Sequence, residues 1–437
     1  MARWAGVLWR RRGRDRLRTP LNVARRRVAT GVGAVTLGLL ALAFATAGDL
    51  AQRSFARLVA AQPYAPLLLS PALFASIAWA TSRWTPAARG SGIPQVMAAG
   101  CDPVAAASGP LVSVKTALVK AVYTIGILFA GGSVGREGPT VQISAATMLA
   151  VHRLFRVPVT AGVLIAGGAA GVAAAFNTPL AGVAFAIEEL AAAYEQRVAL
   201  LVMGAVMIAG LTSLGLAGDY VYFGVAHARL DLAAILYLPI VVGVIGGGLG
   251  GGFSRALLAI SDGRPWTGPL KRYPVRTAAA CGFVVAVLGI ATGTTWGTGY
   301  EATRLMVEGH GTSIWFAPAK FAATLATAAS GTPGGIFAPS LSVGAGLGDL
   351  LARLFRDQPG SAIVLLGMAA YFVGVVRAPL TAVIILSETT ASRAMILPLF
   401  ITALIAEGTS ALVCPERLYH GLARAFRAET KEFSDRA

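Results

Sequence analysis

Read for polarity alone, the chain is a series of long apolar stretches parted by short clusters of charge. Eight stretches carry no Asp, Glu, Lys or Arg: Val28 to Gly48, Leu58 to Ser82, Val157 to Ile187, Val198 to Gly218, Leu232 to Ser254, Thr277 to Tyr300, Phe321 to Gly348 and Gln358 to Val376. Each reaches, or comes close to, the roughly 20 residues that a helix needs to cross a hydrocarbon layer. The pattern predicts an all-α polytopic membrane protein. Several stretches are too long, or too often interrupted by Gly and Pro, for one straight span, so short, tilted or broken helices are expected among them.

Set among these stretches is Gly135-Arg136-Glu137-Gly138-Pro139-Thr140, which has helix-start chemistry. Its glycines let the backbone turn and approach a ligand closely, and Pro139 in a first helical turn removes an amide that would be unpaired anyway. The remaining amides point outward and, with the positive end of the helix dipole, make a site for an anion. At membrane depth such a broken helix is tolerated only beside protein or a wet cavity. Glu137 stands where the anion would stand. A tethered carboxylate competes with a small anion when charged and withdraws when protonated, which couples two ions through one side chain. A glutamate that merely caps a helix is the alternative. Gly90-Ser91-Gly92-Ile93-Pro94 repeats the logic, with Ser91 either capping a helix or giving its hydroxyl to an anion.

The spacing Gly-x-x-x-Pro, found at 90, 135 and 335, is no more frequent than 52 Gly and 22 Pro would produce by chance. Its context is informative. Residues 135 to 188 align without a gap on 335 to 388, at a constant offset of 200 and with 14 identities in 54 positions. The identities include Gly135/Gly335, Pro139/Pro339, the block Arg153-Leu154-Phe155-Arg156 on Arg353-Leu354-Phe355-Arg356, Pro179/Pro379 and Glu188/Glu388. Two equivalent halves are therefore expected, and corresponding broken helices from two halves mark the binding site of a transporter. The arginines shared by both halves leave open whether the halves are parallel or inverted.

Composition agrees with the membrane setting: 56% of the 437 residues are hydrophobic and 13% charged. The net charge of +17 is concentrated at the start, where ten arginines and one aspartate fall within 27 residues. A basic arm could bind nucleic acid, but directly before a first apolar stretch it fits the positive-inside rule and a cytoplasmic N-terminus. Ala45-Thr46-Ala47 resembles a signal-peptidase site, yet the charged region is too long and the apolar stretch is of spanning length. Cys101, Cys281 and Cys414, and His152, His227, His310 and His420, are scattered without metal-ligand spacing. No paired nucleophile and base, and no Walker loop, suggests an enzyme or a nucleotide-driven pump. Glycines 246, 248 and 251 match a dinucleotide fingerprint formally but lie inside an apolar stretch, where close helix packing is expected instead. Among the ionisable residues in or beside apolar stretches, Lys115, Arg136, Glu137, Glu188, Glu189, Lys320, Arg377 and Glu388 must face protein or water. Glu188 and Glu388 are equivalent in the repeat and read as fold-holding. Glu189 has Thr389 as its counterpart, and this break in symmetry makes it the stronger functional candidate.

Together these residues resemble the CLC family of chloride channels and proton/chloride antiporters, in its bacterial type. Gly90-Ser91-Gly92-Ile93-Pro94, Gly135-Arg136-Glu137-Gly138-Pro139 and Gly335-Ile336-Phe337-Ala338-Pro339 look like its three anion-site motifs, in its order, and the likeness runs from the first span to Tyr419. The resemblance implies two inverted-topology halves with tilted and broken helices, and a homodimer in the bilayer with a pore in each subunit. It implies that chloride is held by the Ser91 and Tyr419 hydroxyls and by the amides of Ile336 and Phe337, with Gly135, Arg136, Gly138 and Gly335 shaping the helix starts. Glu137 would be the outer gate and proton acceptor, and Glu189 the inner proton-transfer residue that antiporters of the family carry. Ser91, in place of proline, resembles the chloride-preferring members. Gln95 stands where many members have glutamate, which implies an altered charge in the inner vestibule. The 18 residues after Tyr419 leave no room for paired regulatory domains.

The resulting expectation is a basic cytoplasmic segment at 1–27, a transmembrane domain at 28–427 with repeats of roughly 28–220 and 230–412, and a short cytoplasmic tail at 428–437. Chloride and protons are the expected partners, with no cofactor, no metal and no nucleic acid, in a bacterial inner membrane. Coupled exchange leads, and a passive chloride channel gated by voltage or pH is the alternative.

Overall fold

Glycine, proline and short polar clusters cut the apolar stretches into helices. The computed structural model describes residues 20–190, 196–218, 222–224, 228–263 and 267–436. Of the expected basic segment, residues 1–19 lie outside the described residues, and Arg25, Arg26 and Arg27 already belong to the first helix.

That helix, α1 (Pro20–Ala61), is 42 residues long. The stretch from Leu58 to Ser82 is not one span: a turn at Pro63 and Tyr64 separates α1 from α2 (Pro66–Trp84), which opens on a proline where no amide bond is lost. After the first motif come α3 (Ile93–Cys101), α4 (Pro103–Ser108) and α5 (Val114–Phe129), the last capped by the Ser113 hydroxyl on the Thr116 amide. The second motif opens α6 (Glu137–Leu154). The stretch from Val157 to Ile187 breaks in two as expected, into α7 (Ala161–Phe176) and α8 (Pro179–Phe185), the latter continued by a π-helical turn at Ala186–Leu190. α9 (Gln196–Ala217) closes the first half.

The second half runs α10 (Leu232–Asp262), α11 (Gly268–Arg272), α12 (Pro274–Thr292), α13 (Tyr300–Val307) and α14 (Phe316–Ala329). The third motif opens α15 (Phe337–Ala352), followed by α16 (Gly360–Val376), α17 (Pro379–Thr390), α18 (Ile396–Val413) and α19 (Leu418–Arg436). Glu407 interrupts α18, so no long charge-free stretch marks this helix. Glycines on α10 serve helix packing: a Cβ at Gly246 would lie 2.4 Å from Ala370 on α16, and one at Gly247 would lie 2.5 Å from the Ala406 carbonyl on α18.

The repeat is visible in backbone detail. Both breaks fall on a non-glycine residue in the left-handed region, Asn177 at φ 57° and Arg377 at φ 62°, each two residues before the proline that starts the next helix. α1, α7 and α9 pack together in the first half as α10, α16 and α18 do in the second. Across the halves counterpart meets counterpart: α2 packs on α12, and α8 on α17. Glu188 accepts from the amides of Leu380 and Thr381 at 2.8 and 2.7 Å, while Glu388 accepts from those of Leu180 and Ala181 at 3.4 and 3.1 Å. Such reciprocal contacts are the signature of a two-fold relation. These glutamates hold the fold, each covering the helix start of the opposite half. α7 and α16 run through the core, buried nearly all round, as apolar helices with protein on every side are.

The two caps are unequal because Thr381, unlike Ala181, adds a hydroxyl bond of 2.7 Å to Glu188. With charged hydrogen bonds worth about 1.5–3 kcal/mol each, Glu188→Ala is expected to lower stability in detergent by several kcal/mol and to cost more than Glu388→Ala. Thermal and denaturant unfolding of the two variants checks the order, and equal losses would contradict it.

Candidate functional site

Three motif loops converge through their backbones. The Gly135 amide donates to the Gly335 carbonyl at 2.7 Å, the Gly335 amide returns the bond at 2.9 Å, and the Gly334 amide donates to the Gly90 carbonyl at 3.0 Å. Side chains would wedge this junction open. A Cβ at Gly138 would fall 2.4 Å from the Ser91 hydroxyl oxygen and 3.2 Å from the Gly335 Cα, and one at Gly135 would fall 2.3 Å from Glu137 Oε2.

The junction sets two helix starts face to face. Neither α6 nor α15 has a side-chain cap from its own N-cap residue, Arg136 or Ile336. Glu137, on the first turn of α6, reaches across the junction, and its Oε2 accepts from the Ala338 amide on α15 at 3.4 Å. The residue is 1% exposed, and its Oε1 has no hydrogen-bond partner. The hydroxyls of Ser91 and Tyr419 are also buried without partners. Tyr419 lies within electrostatic reach of Glu137 and close to Ser91. Phe337 walls the space, with ring centroids 4.9 Å from Phe372, 5.7 Å from Phe185 and 6.0 Å from Tyr419. Buried polar groups without partners are rare in folded proteins. Here three converge beside two uncapped helix starts, an arrangement that fits a small anion and that a tethered carboxylate partly fills.

Ser91, Gly135, Glu137, Gly138, Gly335, Ile336, Phe337 and Tyr419 are thus brought together. Arg136 belongs to the same turn, but its guanidinium turns away to Asp49 at 2.7 Å, to the Ala45 carbonyl and to the Tyr222 hydroxyl at 3.4 Å. It ties the α6 start to α1. Glu189 lies apart on the π-helical turn, a feature often found at functional sites. Both its oxygens are buried without hydrogen bonds; the His420 Nδ1 is 3.7 Å from Oε1, and the charges of Arg417, Glu188 and Arg377 act on it from nearby.

One residue behaves differently from the sequence expectation. Gln95 does not face a vestibule: it is fully buried, and its Nε2 donates to the carbonyls of Ala87 and Arg89 at 3.1 and 2.6 Å, which a glutamate could not do. Lys115 is exposed on the first turn of α5. The lysine that matters on this helix is Lys120, fully buried, whose ammonium takes the carbonyls of Ala88, Arg89 and Gly90 at 2.7, 3.2 and 2.7 Å. Sequence reading passed over it, although it stands 200 positions before Lys320, which binds the carbonyls of Thr295 and Gly297 at 3.0 and 2.8 Å ahead of α13. Extending the repeat alignment fifteen residues towards the N-terminus would have found it. Lys120 and Gln95, with Gln142 on the Ala87 carbonyl at 3.0 Å, fasten the four carbonyls of residues 87–90 just before Ser91. The negative ends of those peptide dipoles are thereby paired with donors on the loop that leads into Ser91.

A family model described as voltage gated chloride channel matches residues 72–411. The chain belongs to this family. Among its curated relatives, an H(+)/Cl(-) exchange transporter ClcA from Yersinia pseudotuberculosis serotype IB is 31% identical over 91% of this chain and 88% of its own length. A ClcA from Yersinia pestis bv. Antiqua (strain Angola) is also 31% identical over the same shares. The structure of a slow cyanobacterial Cl-/H+ antiporter matches with a TM-score of 0.80 and 26% identity, covering 92% of this chain and 98% of that one. A CLC-type fluoride/proton antiporter, at 22% identity and a TM-score of 0.77 over 93% and 99% of the two chains, shares the fold.

Lys120→Met would strand the buried Ala88 carbonyl and take one of two donors from the carbonyls of Arg89 and Gly90. At about 1–3 kcal/mol for one stranded group, it is expected to cost ~1–3 kcal/mol and to reduce the thermal stabilisation given by added chloride, while Lys115→Met stays within about 0.5 kcal/mol of the parent. Unfolding curves with and without chloride check both, and a silent Lys120→Met would remove the carbonyl clamp from the site.

Proposed function

We propose that the protein exchanges chloride for protons across the membrane, with Glu137 serving as both gate and proton acceptor. The observation that carries this reading is the placement of the Glu137 carboxylate: it is seated on an amide of the opposite half, beside two unpartnered hydroxyls, and is held there by one 3.4 Å bond. A charged carboxylate competes for the anion's donors, and a protonated one does not. Chloride would take the Ser91 and Tyr419 hydroxyls and the Ile336 and Phe337 amides as Glu137 withdraws. The ClcA relatives and the cyanobacterial antiporter support exchange over passive conduction, as does the buried Glu189, a second carboxylate that a channel would not need.

In this reading the two-fold related halves insert in opposite senses, so that α6 and α15 approach the bilayer midplane from opposite sides. The basic start of α1 and the α19 end both lie in the cytoplasm, and the subunit pairs with a second copy in the inner membrane of a bacterium.

Glu137→Gln mimics the protonated state permanently. Proton movement is expected to cease while chloride still passes, measured as paired fluxes from folded, dimer-sized protein in liposomes. Chloride-driven proton uptake surviving the substitution would remove Glu137 from the coupling, and loss of both fluxes together would mark it as structural. Ser91→Pro deletes a hydroxyl and an amide at once. The preference for chloride over nitrate is expected to fall, and an unchanged preference would reduce Ser91 to a helix cap.

A further inference from the structure

We propose that His420 is the relay through which protons pass between the inner aqueous side and the buried Glu189 carboxylate. The inference rests on the exchange reading and adds a residue to it.

The Glu189 carboxylate is closed off from the surface. Its side chain has no exposed surface, and neither oxygen has a hydrogen-bond partner. The His420 ring spans the gap: its Nδ1 lies 3.7 Å from Glu189 Oε1, and the side chain is 45% exposed. It follows Tyr419 on the first turn of α19, so one turn of helix presents the tyrosine to the anion site and the histidine to the proton site.

The charged groups around the pair leave the histidine as the free partner. Glu188, the neighbour on the same turn, is spent on the α17 helix start. Arg377, at the end of α16, donates to the carbonyls of Cys414 and Pro415 at 3.4 and 3.0 Å. Arg417 pairs with Glu407 of α18 at 3.4 Å, and Arg424 with Glu416 at 2.9 Å. None of these arginines is placed on a Glu189 oxygen. Arg417 and Arg427 lie near the imidazole and, after its partial burial, push its pKa down from the ordinary value. A histidine so placed does not hold its proton permanently, as a relay requires.

The step is a plain proton transfer. His420 takes a proton from water and becomes imidazolium; its Nδ1–H bond then breaks as an O–H bond forms on Glu189, leaving neutral imidazole and a neutral acid. At 3.7 Å the transfer needs a small rotation of the ring or one bridging water, since a direct hydrogen bond is shorter. Proton release to the inner side runs through the same atoms in reverse.

The test uses full-length protein in liposomes carrying His420→Ala and, separately, His420→Gln, with chloride-driven proton uptake followed as inner-side pH is varied. Proton uptake is expected to slow by about tenfold or more, against the ~10²-fold that a positioned proton donor contributes, because water offers a slower parallel route. The dependence on pH through the imidazole range is expected to vanish, and imidazole added on the inner side is expected to restore part of the rate to the alanine variant. A merely structural histidine would give neither the pH change nor the rescue. Unchanged uptake with an unchanged pH profile overturns the proposal. Glu189→Gln run alongside separates this from failure of the exchange reading: if that variant still couples protons to chloride, Glu189 itself is off the path.

Discussion

The structure hangs on the close approach of two backbones at Gly135 and Gly335. Their paired hydrogen bonds, with a third from Gly334 to Gly90, bring three loops within van der Waals contact at one point. Because the bonds are between main-chain groups, they leave the first side chains of α6 and α15 free to enter the space between the two helix starts. They also orient both dipoles towards that space, so an attraction for anions is built into the fold before any cationic side chain is used. The buried cations do something else: Lys120 and Arg136 hold the loops from behind, on carbonyls and on α1.

The residues proposed to carry function lie where the two-fold relation is broken. The relation itself is kept by residues that hold the fold, such as the reciprocal caps of Glu188 and Glu388, the left-handed breaks at Asn177 and Arg377, and the paired buried lysines. At the first position of the paired helices the halves diverge: Glu137 stands opposite Phe337, so one half supplies the carboxylate and the other the amides that receive it. Glu189 likewise stands opposite Thr389. A symmetric pair of carboxylates would repel each other across the junction at full charge, whereas one carboxylate facing an uncharged helix start has a single seat to take or leave.

Much of this arrangement was legible in the sequence, and the parts that were not share a cause. The three Gly/Pro motifs and the ungapped repeat announced the junction, because close backbone contact can be met by very few residue types. Lys120 was overlooked because a lysine near the start of an apolar helix reads as an interruption, and only its counterpart at Lys320 reveals it. Gln95 was assigned to the vestibule because its sequence position says nothing of which carbonyls lie around it. α18 escaped because one glutamate splits its apolar stretch. His420 stands far along the chain from Glu189, and no periodicity connects a solvated helix to a buried turn; only the packing of α19 against the core brings them together.

The reciprocal construction also bears on how the protein is made. Leu180 and Ala181 expose uncovered amides until Glu388 is synthesised, 208 positions after the first of them. The partner of Gly135, and the helix start that receives Glu137, likewise come from the later half. A ribosome that has delivered only the first half has therefore placed in the membrane a set of helices without a finished ion path. The seat for the Glu137 carboxylate is assembled only when the second half has docked on the first.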